Sequence, residues 1–161
     1  MKPSRARILI EGLVAGFLGY AAIALFYGVV NLASGRSAWY TARLLGQTLV
    51  GHGPEHVVPA AAPVLAFNAV HLVVFLAIGL SAAWLIFEME HHPQFWFFLF
   101  FAALAGFMFS ESAFLLLAEP TTAQLPWWSV VSANLAAGLA MGGYLYARHP
   151  RLLRELSDIP A

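Results

Sequence analysis

Four long apolar stretches constrain this chain more than any other feature. They run from Leu9 to Ala33, Pro63 to Phe87, Phe95 to Ala118 and Trp127 to Ala147. Crossing the ~30 Å hydrocarbon core of a bilayer takes about 20 helical residues, and each stretch is long enough. Backbone N–H and C=O groups find no water there, so a spanning segment must satisfy them internally, as a helix does. Composition agrees. Of the 161 residues, 61% are hydrophobic and only 10% charged, whereas a soluble domain carries about 25% charged residues. The expected fold is all-α: one transmembrane domain over residues 1–161, built as an integral membrane four-helix bundle. The basic start MKPSRAR resembles the n-region of a signal peptide. The apolar stretch after it exceeds an h-region of about 7–15 residues, so an uncleaved helix is expected.

Lys and Arg set the orientation. Lys2, Arg5 and Arg7 precede the first span and Arg148, Arg151 and Arg154 follow the fourth, while only Arg36 and Arg43 lie in the first loop. Positive charge accumulates on the cytoplasmic side, which predicts both termini inside and a multi-pass cell-membrane protein, the bacterial inner membrane being the expected one. The second loop, Glu88 to Pro93, and the third, Glu119 to Pro126, are short. The first is longer, and its segment SAWYTARLLGQTLVG predicts an amphipathic helix at the outer interface. Ala38, Ala42, Leu45 and Leu49 form one side of it, and Arg43 and Gln47 lie on another. An irregular loop is the rival reading.

Two further patterns concern packing. AGFL at Ala15–Leu18 recurs as AGFM at Ala105–Met108, and Pro63, Leu72, Leu76, Ala77 and Gly79 match Pro126, Leu135, Leu139, Ala140 and Gly142 at constant offset. Duplication of a helical hairpin explains this; so does coincidence among common membrane residues. Gly12 and Gly16 form GxxxG in span one, as do Gly138 and Gly142 in span four. Lipid tails are as apolar as Leu, so close backbone approach across small residues must drive helix association. One of these faces is free to meet another subunit.

Polar residues inside the spans fall at one level. Counted from the outer ends, Tyr27, His71, Glu111 and Asn134 each lie about 9–12 Å deep at 1.5 Å per residue. Asn68 shares a face with His71, Ser110 and Ser112 flank Glu111, and Tyr20, Tyr27 and Asn31 make one stripe. An ionised carboxylate alone in hydrocarbon costs about 2.5–3.5 kcal/mol or more. Glu111 is therefore expected to face inward and pair, with His71 the natural partner. A titratable or ligand-binding site is one reading of this layer; a hydrogen-bond cluster fixing helix register is the plainer one. Near the other surface Glu11 follows Arg7 at i+4, which reads as an exposed ion pair worth under about 1 kcal/mol.

One membrane Glu and one membrane His are too few for a carboxylate-bridged di-iron site, and a bis-His haem lacks its second His. His52 and His56 in the first loop are the weak metal candidates, with imidazole as ligand; a solvated loop is the plainer reading. No cofactor is required by the sequence. With no Cys and a formal net charge of +0, thiol chemistry and nucleic-acid binding are excluded. No P-loop, GxSxG or HExxH motif is present. The expected role is a non-catalytic subunit or scaffold in a larger respiratory, photosynthetic or transport complex. Its partners are the lipid bilayer and other membrane subunits or further copies of itself. The alternatives are a small proton-coupled transporter or channel using the Glu/His layer, and a metal-binding membrane protein or enzyme.

Overall fold

The computed structural model describes residues 5–50, 59, 61–92, 98, 101, 106 and 125–150. These form an all-helical structure with four helices among the described residues: α1 (Arg5–Ala33), α2 (Tyr40–Val50), α3 (Ala62–His91) and α4 (Trp127–Arg148). Three of them, α1, α3 and α4, are long and apolar enough to cross a membrane. The expected third span, 95–118, lies outside the described residues except for Phe98, Phe101 and Gly106.

Among the described residues α1 is the central element, packing along both α3 and α4, whose backbones stay apart while their side chains meet in two small cores. From Glu11 to Gly19 its inward face is small or polar: Glu11, Gly12, Ala15, Gly16 and Gly19 are buried, while Leu9, Ile10, Leu13, Phe17 and Leu25 point outward and Ile23 turns inward. That is the reverse of a soluble helix. With no hydrophobic gain to be had between helices in lipid, the contact face is chosen for close approach and large apolar residues are left to the acyl chains.

Gly12, Gly16 and Gly79 set the α1–α3 crossing. A Cβ on Gly79 would strike the Gly12 carbonyl and the Gly16 backbone, and one on Gly16 would strike the Phe75 carbonyl and Leu76. The contacts fall as the α3 numbers rise: Gly12 meets Leu80, Gly16 meets Phe75 and Tyr20 meets Asn68. α1 and α3 are therefore antiparallel. Gly19 against Met141 and Glu11 against His149 give the same relation between α1 and α4. The start of α1 and the end of α4 consequently share one end of the molecule.

Two small cores fill the remaining space. Ile23, Phe75, Ala133, Ala137 and Met141 form one, and Ala15, Ala83, Ile86 and Leu145 the other. On α4 the buried residues recur every four positions, from Ala133 through Ala137 and Met141 to Leu145. Gly138 and Gly142 follow that stripe by one residue, about 100° around the helix; both are exposed, and a Cβ at either meets nothing within 4 Å among the described residues. The two GxxxG motifs thus have different fates: the first is used inside the chain and the second faces outward.

α2 occupies part of the segment expected to be helical, and it packs on α3 rather than standing apart. Its buried residues are Thr41 and Gly46, whereas Leu49 is 48% exposed. At 100° per residue Thr41 and Gly46 flank the stripe of Ala38, Ala42, Leu45 and Leu49, of which Ala38 and Ala42 line the cleft against α1 and α3. At Gly46 a side chain would run into the Pro63 backbone, so α2 and α3 approach closely there.

Overpacking a helix crossing costs about 1–3 kcal/mol. Gly79→Val should lower the unfolding midpoint in detergent by that amount, read by circular dichroism against denaturant. Gly138→Val, on the open face, should leave it within about 0.5 kcal/mol.

Candidate functional site

At the α2 end, three elements enclose a cleft of about 30 Å³ in which the centre of a water molecule can move. α1 contributes Tyr20 and Tyr27, the start of α2 contributes Trp39 and Thr41, and α3 contributes Phe67, Asn68 and His71. The stripe of Tyr20, Tyr27 and Asn31 explains the α1 side. Spacings of seven and four keep these residues on one face, and the Gly16–Gly79 crossing turns that face toward α3.

The polar groups are tied together. The Tyr20 hydroxyl donates to Asn68 Oδ1 at 2.8 Å, and Asn68 Nδ2 donates to the Val64 carbonyl at 2.7 Å. Asn31 is buried and anchors the roof: its Nδ2 donates to the Ala38 carbonyl at 3.0 Å and its Oδ1 accepts from Thr41 Oγ1 at 3.1 Å. The His71 ring stacks on Phe67 with centroids 4.9 Å apart, and lies 5.1 Å from Phe75 and 6.5 Å from Tyr20. Its Nε2 is buried and has no hydrogen-bond partner among the described residues.

Of the expected polar layer, Tyr27, Asn68 and His71 line one cleft. Asn134 sits half-buried on α4 and is not part of its lining. Glu111, Ser110 and Ser112, and the loop histidines His52 and His56, lie outside the described residues. Trp39 and Thr41 complete the cleft although nothing in their spacing marked them. Their place depends on how α2 folds back, which local pattern does not encode.

The opposite end holds a second polar cluster. Arg7 Nε donates to Glu11 Oε1 at 2.9 Å, and His149 Nε2 lies 2.9 Å from Glu11 Oε2. Glu11 and His149 are both buried, at 6% and 5% exposure. The pairing of Arg7 with Glu11 is as expected, but its exposed character is not: the carboxylate is enclosed and bridges α1 to the residue that ends α4. The available signal was the carboxylate itself, since an acid near the start of an apolar span calls for a partner. No spacing identified His149, which is 138 positions away. Among the described residues no group of three or more His, Cys, Asp or Glu is placed to hold a metal ion.

Compared with protein-family models, curated proteins and solved structures, the chain matches none of them.

Hydrogen bonds to charged groups contribute about 1.5–3 kcal/mol. Glu11→Ala removes both contacts made by its carboxylate, including the one that joins α1 to the buried His149, so the unfolding free energy in detergent should fall by at least about that amount. Arg7→Ala should cost under about 1 kcal/mol, because the guanidinium end of the bridge is 54% exposed and solvent-screened.

Proposed function

We propose that this chain is a non-catalytic, multi-pass integral membrane subunit that packs against a transmembrane helix of another subunit in a larger membrane complex. Respiratory, photosynthetic and transport assemblies are the classes in view, in the bacterial inner membrane, with both termini cytoplasmic. The small-residue face of α4 carries the reading. Gly138 and Gly142 have the one-turn spacing that lets backbones approach closely, and they are flanked by the exposed Leu135, Leu139 and Tyr146. The equivalent glycines of α1 are buried against α3, so the same device already serves helix association once within the chain. Sparse internal packing gives further support: no more than 28% of the apolar window of any of the three long helices is buried. The shared end of α1 and α4, with its Arg7 and Arg148, suits a cytoplasmic placement.

A second reading rests on the His71 imidazole. A buried nitrogen without a partner costs about 1–3 kcal/mol, and sites that keep such a group are often functional. In this reading the chain is a small proton-coupled transporter with Glu111 as carrier and Tyr27, His71 and Asn134 along the path.

Native mass spectrometry after gentle detergent extraction separates these readings. The subunit reading expects larger companions on the wild-type chain and their loss in Gly138→Leu and Gly142→Leu, with helical content unchanged. A monodisperse, lone wild-type chain overturns it. The transporter reading expects Glu111→Gln to abolish pH-dependent flux in proteoliposomes while the protein still folds; retained flux removes it.

A further inference from the structure

We propose that the cleft beneath α2 is a hydration site. It binds one or two water molecules and admits no solute much larger, so it carries water from the α2 end down to the level of His71. This inference is independent of the subunit reading, because it concerns the interior of a single chain.

Size comes first. A water needs about 10–15 Å³ of space for its centre, while a benzene-sized occupant needs a cavity of about 150 Å³. The cleft offers about 30 Å³. That accommodates water and excludes a quinone ring, a haem, a lipid chain or a nucleotide unless α2 moves away. α2 is held in place: Asn31 bonds both Ala38 and Thr41, and Gly46 lies against the Pro63 backbone.

Polarity comes second. Cavities lined only by Leu, Ile and Phe stay dry, whereas a stable buried water makes two to four hydrogen bonds. In its bond to Asn68 the Tyr20 hydroxyl is the donor, which leaves its oxygen able to accept. Asn68 Nδ2 carries two hydrogens and gives one to Val64. A second phenol, Tyr27, stands on the same wall. The Tyr20–Asn68 pair is therefore the water's seat, at one donor and one acceptor. His71 lines the same cleft, with its Nε2 buried and its ring packed against those of Phe67 and Phe75.

Depth gives the site its consequence. His71 stands nine residues into α3, about 14 Å from its first residue at 1.5 Å per residue. On the outward side of the same helix Val73 is 65% exposed and faces what lipid covers in a membrane. One helix at one level thus has a wet side and a dry side.

The absence of Cys allows this to be tested directly. Ala24→Cys and Ala42→Cys place thiols in the cleft with little change of volume, and Val73→Cys places one on the outward face at similar depth. Silver ion, close to water in size, is the small reagent, and a bulky maleimide the large one, both applied to the chain in native membranes. Silver should modify the two cleft thiols at least 10-fold faster than Val73→Cys, and the maleimide should leave all three unmodified. Silver rates equal at the three positions overturn the site as dry. Maleimide reaction in the cleft overturns the size limit. Radiolytic footprinting of the unsubstituted chain provides an independent reading. Bound water should raise oxidation of Tyr20 and Tyr27 several-fold above that of Phe17, once corrected for intrinsic ring reactivity; equal yields count against the site.

Discussion

The contact of Gly12 and Gly16 with Gly79 is the constraint on which the rest of the structure depends. It brings two backbones together where any side chain would hold them apart. Once α1 and α3 cross there, their rotation is fixed. The polar stripe of α1 then faces Asn68 and His71, and Leu9, Ile10, Leu13 and Phe17 face outward. In a hydrocarbon solvent no general hydrophobic force between helices could impose that rotation, so the task falls to steric fit.

Polar contacts then secure the two ends of the crossing. Asn31, Thr41 and the Ala38 carbonyl hold α2 over one end, and Glu11 joins α1 to His149 at the other. Each lies on a buried face and is short and well partnered. Interhelical polar contacts in membranes average about 0.6 kcal/mol, so their value lies more in specifying register than in total stability. They also explain why the cleft persists. Its roof is tied down through Asn31, which does not line it, while the Tyr20 hydroxyl keeps a lone pair and Asn68 Nδ2 a second hydrogen.

α4 shows how one pattern divides between two uses. Its alanines at 133 and 137 fit against α1, and the glycines one step around the helix at 138 and 142 remain outside. That asymmetry gives the subunit proposal its physical content.

Three of the long helices were legible in the sequence because length and hydropathy are local properties, and lipid rewards them without reference to neighbours. The stripe of Tyr20, Tyr27 and Asn31 was legible for the same reason, since helical periodicity alone aligns it. What the tertiary structure decided was which faces meet. It chose the first GxxxG for internal use, seated α2 against α3 at Gly46, and enclosed Glu11 by bringing His149 to it across the whole chain. Those outcomes depend on backbone proximity between residues distant in sequence, and no periodicity carries that information.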